Sequence, residues 1–419
     1  MSRPTKRKSN AVTKAPKAKK IPKTENKFVA DEGLNKEPGS VLVIGEGIAG
    51  QLGLGIDISE KSKPAVVPDL NNVVEIAAGG MHSICLTADS KVITFGCNDE
   101  GALGRDTSEE GTEAIPGEVE LPGKVIQVSA GDSHSTALLD NGQVYIWGTF
   151  RDEHGSMGLL KNDAIEKKPV LLESKVRFLR VASGSNHIVL LDENKHVNTF
   201  GCGEQGQLGR LSERASSRDS RKGLGQLLTP AIVPFKNRPK FEIVDIWAGN
   251  MCTFIKDNKE LIHVFGLNNY KQLGVEKGRI MFHPIQSTSF NDRNWIKVAI
   301  GQHHTIALDS EGRVYALGRH EYGRLGLGAD CTDADVPTQV KIPEDEKCSD
   351  ISCGSTASFA VTESGKLYSW GMEALQLGVG DGDKVEPTLV TGKQLEKRDV
   401  IKVAAGAQHT IIIAKDKAV

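Results

Sequence analysis

Short apolar or alternating runs, each cut off by glycine or by a charged turn, recur along almost the whole chain. "VVEIAAG" (73–79), "HSICLTAD" (82–89) and "KVITFG" (91–96) follow one another closely, and "PAVVPDL" (64–70) adds a fourth kind of run. Alternation with a period of two predicts short strands. Pairs such as Asn141-Gly142, Glu311-Gly312 and Ser364-Gly365 predict tight hairpins between the second and third strands of a unit. Nothing between them keeps a helical period.

The pattern is a repeat. A-x-G-x-x-H-[ST] occurs as "AGGMHS", "AGDSHS" and "AGAQHT", more weakly as "SGSNHI" and "IGQHHT", and without histidine as "AGNMCT" and "CGSTAS". The histidine positions are 82, 134, 187, 252, 304, 357 and 409, so the spacings are 52, 53, 65, 52, 53 and 52. Gly45, Gly96, Gly148, Gly201, Gly266, Gly318 and Gly371 keep the same rhythm. Seven units of four short strands cannot form one flat sheet without exposing every face. Set radially, each sheet covers the next, which predicts an all-β, seven-bladed β-propeller of about 52-residue repeats over residues 36–419. The chain enters with a third-strand segment, "VLVIG", and leaves after a second-strand segment, "HTIIIAKD". The N-terminal strand is therefore expected to complete the C-terminal blade and close the ring.

Composition changes this picture at one end. The chain has 419 residues with a net charge of −2, but residues 1–27 hold ten Lys/Arg against Glu25 alone, a net of +9. The rest carries 42 basic and 53 acidic residues, a net of −11. The tail, residues 1–35, lacks the apolar content for a core and is expected to be disordered. Its lysines and arginines, among them Arg3, Lys6, Arg7, Lys8, Lys17, Lys19 and Lys20, have no interleaved aromatics. That suits neutralising DNA phosphates, with steep salt dependence, rather than reading bases. "KRK" and "KAPKAKK" also have the form of a bipartite nuclear import signal, which implies import receptors as partners. The tail has no apolar segment of the secretory kind, and no stretch approaches eighteen apolar residues, so no membrane span is expected. Seven cysteines without a C-x-x-C pair read as free thiols.

Two motifs invite catalytic readings. "GEGIAG" and "GCGEQG" match a dinucleotide fingerprint, but no helix follows either, and glycines recurring in most repeats suit turns that need positive φ. The repeated histidines suggest a metal ring, yet ligands in separate blades cannot converge on one ion. A histidine bonding backbone at each blade corner is the simpler expectation. No cofactor and no metal are predicted.

One turn is longer than its copies. Eight positions separate the outer glycines of "GCNDEGALG" and "GCGEQGQLG", but ten separate Gly148 from Gly158 in "GTFRDEHGSMG". A second expansion explains the spacing of 65: Gly209 to Pro234 spans 25 positions where Gly53 to Pro68 spans 15. The added "RLSERASSRDSRKGLGQLL" is rich in arginine.

The repeats A-x-G-x-x-H-[ST] and [WF]-G-x-x-x-x-G-Q-L-G resemble those of the regulator of chromosome condensation family, across all seven units. "FGCNDEGALGRDTS", "GCGEQGQLGR", "GQHHT" and "EYGRLGLG" are similar to its chromatin-bound guanine nucleotide exchange factor for the small GTPase Ran. The resemblance implies a monomeric propeller acting in the nucleus on chromatin, without covalent chemistry. It implies that Phe150, Arg151, Asp152, Glu153, His154, Gly155, Ser156 and Met157 form a β-wedge projecting from the third blade into the GTPase. It implies further GTPase contacts from Asp132, Asn186, Arg210, His303 and His409. Asp132 and His303 also depart from the repeat consensus, whereas His409 is the ordinary repeat histidine. Asn186 and Ile48 stand where the resembled protein has acidic residues, which removes charge from that surface. The arginine-rich insertion resembles a loop that engages the histone acidic patch of the nucleosome, through Arg218, Arg221 and Lys222. Arg3 precedes Pro4, unlike the family's N-terminal methylation motif. A non-catalytic interaction scaffold on the same fold is the alternative reading.

Overall fold

Each repeat folds into one antiparallel sheet whose second strand is buried on both faces, as in His82–Thr87, His134–Leu139 and His187–Asp192. Double burial explains why these strands read as nearly continuous apolar runs. The structure, a computed structural model, describes residues 37–160, 164–235, 241–372 and 374–417. The basic tail, with its seven DNA and import residues, lies outside the described residues.

Seven four-stranded sheets are present among the described residues. The first blade is composite: Ser40–Glu46 and Glu60–Val66 join Arg398–Ala405 and His409–Asp416. Ser40 pairs with Ala414 and Gly45 with His409, so chain entry and exit are zipped in one sheet. Two N-terminal strands, not one, complete this blade. Val41–Ile44 and Ile411–Ile413 are fully buried, which ties closure to core formation. The first strands of successive blades touch in an unbroken circuit, from Val73–Ala78 round to Arg398–Ala405 and back. The seven strand-end glycines all have positive φ, from +97° at Gly148 to +117° at Gly96. A side chain at Gly148 would also meet the Ser133 carbonyl at 2.2 Å. These glycines are turn residues.

The repeated histidines are joints between blades. Nε2 of His82 lies 2.8 Å from the Ser135 hydroxyl of the next blade. His187 reaches Thr253 at 2.9 Å, His304 reaches Ser358 at 2.8 Å, and His409 reaches Ser83 at 3.0 Å. Each hydroxyl donates its own proton to a carbonyl, for example Ser135 to Ala102 at 2.9 Å and Thr253 to Gln207 at 3.0 Å. The imidazoles must therefore donate from Nε2, and the buried Nδ1 atoms of His187, His304 and His409 have no acceptor for a second proton. Burial lowers the pKa of His82 to about 4 and of His134, His187, His304 and His409 to about 3. The partner is thus a side chain across the blade boundary rather than the corner backbone. His134 alone lacks one, because Ile188 occupies the hydroxyl position of the next blade.

A second circuit lines the channel. One residue per first strand falls in the same register: Glu75, Gln127, Arg180, Asp245, Lys297, Asp350 and Lys402. Arg180 pairs with Asp245 at 3.2 Å and Lys297 with Asp350 at 2.5 Å. Asp350 also accepts the Val403 N–H at 3.1 Å, and Gln127 bonds both backbone groups of Val181 at 3.0 Å. These side chains hold the third blade to the fourth, the fourth to the fifth, the sixth to the seventh and the seventh to the first.

Candidate functional site

The lengthened turn is a second, smaller sheet. Phe150–Asp152 pairs with Gly155–Gly158, with Arg151 opposite Ser156 and Asp152 opposite Gly155. Two added residues are enough to turn a coil into a hairpin. Its root is core: Phe150 and Met157 are fully buried, although both were expected in the contact surface. The Phe150 ring meets His134 edge-on at 4.8 Å and Phe200 at 5.6 Å. The hairpin thus stands on the one blade junction where the imidazole has no hydroxyl partner. The outward residues are Arg151, Glu153, His154 and Ser156. Gly155 has φ +104° with open space around it, as the hairpin's return requires.

Strand direction decides what shares this rim. In the third blade the chain runs up Val125–Ala130, turns at Asp132, descends His134–Leu139 and climbs again along Val144–Gly148. The hairpin therefore emerges beside Asp132. The same count brings Asn186 and the long insertion of the fourth blade to this rim. Asn186 links two of these groups: its Oδ1 accepts the Arg151 N–H at 2.8 Å, and its Nδ2 donates to Asp132 at 3.3 Å. An aspartate could not donate there, so the amide is fitted to its neighbours rather than merely uncharged. Although Asp132 reaches solvent, the packed turns beneath it raise its carboxyl pKa, against hydrogen bonds from Ser185 and Asn186 and the charge of Arg151. Glu100, from the second blade, pairs with the Arg151 guanidinium. No sequence signal marked Glu100, because its compact turn looks like every other.

The insertion folds against the hairpin. It contains a 3-10 turn, Glu213–Ala215, and a short helix, Gly223–Leu227, anchored by buried Leu227 and Leu228. Arg218 grips Asp152 with two bonds, Nε at 2.6 Å and Nη2 at 2.5 Å. Its Nη2 also reaches the Gly155 and Ser156 carbonyls at 3.5 and 3.3 Å. The Asp152 side chain is only 1% exposed as a result. His154 approaches Asp219 at 3.8 Å. Arg218, expected to serve the nucleosome acidic patch, is thus a brace for the hairpin. Arg221 and Lys222 remain exposed on the insertion, as does Arg214.

Two more expectations need correcting. Arg210 turns inward and donates to the carbonyls of Thr199, Gln226 and Thr229 at 3.1, 2.8 and 3.1 Å. Burial lowers its guanidinium pKa to about 10. Arg105, also directly after a turn glycine, ties Thr94, Thr112 and Ile115 in the same way, and that repeat was the available signal. His409 is fully buried in its joint with Ser83 and offers nothing to a partner. His303, by contrast, sits at the rim of the sixth blade, with its ring edge against Tyr270 at 5.1 Å. Ile48, on the same rim, is 79% exposed.

Among the described residues no group of three or more His, Cys, Asp or Glu could hold a metal ion. What the site offers is a braced, charged hairpin beside a ring of polar turns, suited to gripping a protein.

Known proteins agree with this architecture. The family model described as the RCC1-like domain matches residues 40–412. The chain is 45% identical to Regulator of chromosome condensation from Mus musculus over 416 residues, covering 97% of this chain and 98% of that one. It is 32% identical to Guanine nucleotide exchange factor SRM1 from Saccharomyces cerevisiae, covering 95% and 93%. The crystal structure of Prp20p from Saccharomyces cerevisiae, studied with its binding to Gsp1p and histones, superposes with a TM-score of 0.83 at 29% identity and 94% coverage of each chain. The seven-bladed ring, its composite closing blade and these matches place the chain in the regulator of chromosome condensation family.

Proposed function

We propose that this protein is a chromatin-bound guanine nucleotide exchange factor for the small GTPase Ran. The observation that carries the reading is the hairpin of residues 150–158, held by Arg218, Asn186 and Glu100 on the rim that also presents Asp132. The relatives support it: one is named an exchange factor, and Prp20p binds Gsp1p and histones.

No bond is made or broken by the propeller in this mechanism. Arg151, Glu153, His154 and Ser156 enter the GTPase, while Asp132 and Asn186 hold the base of the hairpin. A rigid hairpin that fits the nucleotide-free GTPase better than the loaded form must, by reciprocity, weaken nucleotide binding. Release is faster because the ternary complex is stabilised, and the direction of net exchange follows the GTP to GDP ratio. Mixed in catalytic amounts with Ran carrying a fluorescent GDP analogue, the protein is expected to speed release. Release at the spontaneous rate rejects the reading.

Attachment to chromatin is assigned to Arg221 and Lys222 toward the histone acidic patch of the nucleosome, and to the basic tail toward DNA phosphates. The tail also carries the proposed nuclear import signal, and Prp20 has been crystallised bound to Kap60. Replacing Arg221 and Lys222 by alanine is expected to weaken nucleosome binding about tenfold, or about 1.4 kcal/mol, with exchange on free Ran unchanged. Unaltered nucleosome affinity in a gel-shift titration removes the assignment.

A further inference from the structure

The compact turn of the sixth blade, "EYGRLGLG", carries Arg324 where other blades carry Gln51, Gln207, Gln272 or Gln376. Those glutamines are buried and bond to backbone. Gln207 and Gln272 accept N–H groups at 2.9 Å, and Gln376 donates to the Gly406 and His409 carbonyls at 2.9 Å. Arg324 is equally buried, 1% exposed, yet its Nε and Nη1 have no hydrogen-bond partner. Two neighbours share the defect: Nε of Arg319 and Nδ1 of His303 are also buried and unpartnered.

These groups form one cluster. The Arg319 guanidinium lies over the Tyr270 ring at 4.8 Å, and His303 meets the same ring. Arg324 stacks on Tyr322 at 5.3 Å. Tyr322 is 47% exposed and held at φ 64°, so it stands up at the rim. Two carboxylates act on the cluster: Glu321 pairs with Arg319, and Asp333, which is bonded to His320, also lies within reach of the Arg319 charge. Burial first, then the charges of Arg324 and Arg319, lowers the His303 pKa. A buried guanidinium without an acceptor is costly, and its planar fork matches a carboxylate.

We propose that His303, Arg319 and Arg324, walled by Tyr270 and Tyr322, form an anion socket that receives an acidic side chain of the docked GTPase. The proposal rests on the exchange-factor reading. Glu321 and Asp333 both act on Arg319 and leave Arg324 as the guanidinium without a paired carboxylate, which suits a single carboxylate better than a doubly charged free phosphate. The cluster lies toward the hairpin's rim, since His303 lies in the first turn of its blade and Arg319 and Arg324 follow the third strand, and Tyr322 is its exposed member. It lies three blades from the hairpin in a ring of seven, across the channel. A partner held at both points is fixed in orientation, as one contact alone could not do.

Arg324→Gln introduces the residue that four other blades carry and tests the socket. The expected result is a KM for Ran raised about tenfold, kcat changed less than about twofold, and an unchanged or higher thermal midpoint. An unchanged KM, or a lower midpoint with a parallel loss of kcat, overturns the socket in favour of a structural arginine. Sulfate at matched ionic strength separates the sources of the anion. Stabilisation of the wild type by sulfate that Arg324→Gln loses, with KM unchanged, overturns the carboxylate in favour of a free oxyanion. Calorimetric titration with a hexaglutamate peptide reads the socket without exchange. Binding by the wild type that the variant lacks supports it, and equal binding overturns it. A wild type that binds the peptide but releases no nucleotide from Ran removes the exchange-factor reading instead.

Discussion

Replacing Arg218 by alanine is expected to lower catalysed GDP release about 100-fold, or about 3 kcal/mol, while the seven blades stay folded. Read from its composition, the arginine-rich insertion is a separate docking loop, whose loss should leave exchange in free solution intact. We expect the opposite, because Arg218 holds Asp152 through both Nε and Nη2 and covers it from solvent. Removing the guanidinium leaves a carboxylate that is almost fully buried without its counter-charge, and the hairpin must open to hydrate it. An open hairpin loses the pre-set shape on which tighter binding of the empty GTPase depends. Asp152→Asn with Arg218→Gln removes both charges together and is expected to recover most of the activity, since an amide pair has no charge to hydrate. Stopped-flow release rates on the single and double variants, with limited proteolysis at residues 153–156, check both points. Wild-type release by Arg218→Ala would show that the hairpin needs no brace.

The second large effect is loss of stability in mild acid. Five histidines, His82, His134, His187, His304 and His409, are buried and neutral, with pKa values held at about 3 to 4. In the unfolded chain each takes up a proton near pH 6.5. A group whose folded pKa is depressed in this way contributes stability above its unfolded pKa, and that contribution fades as pH falls toward 4. Each contributes a slope of about 1.4 kcal/mol per pH unit, so the five together reach about 7 kcal/mol per unit near pH 5. Against a total stability of about 5–15 kcal/mol, unfolding near pH 5 is expected. Denaturant melts at pH 7.5, 6 and 5, with proton uptake on unfolding at pH 5, measure it. Uptake of fewer than about two protons would mean that the histidine joints are not sealed.

Most of the architecture was legible in the chain because it is written locally. Glycines that need positive φ, strands of alternating pattern and a spacing near 52 residues mark each blade without reference to any other. The N- and C-terminal segments even show by strand type that they complete one sheet. The lengthened turn was legible for the same reason, since ten positions in place of eight can be counted.

Side-chain roles followed a different rule. Phe150 and Met157 looked like surface residues of a charged turn, but the hairpin needs an apolar root and His134 offered an unpaired ring. Arg210 and Arg218 are both arginines of one insertion. One ties its loop inward, while the other crosses 66 positions to a carboxylate in the neighbouring blade. Asn186 looked like a lost charge until Arg151 and Asp132 were found on either side of its amide. The number of blades, their closure and the turn that protrudes follow from the chain alone, because neighbours along it set them. Which polar groups meet was settled in three dimensions, because the ring brings together residues from different blades and burial there selects the pairs whose charges and hydrogen bonds are satisfied.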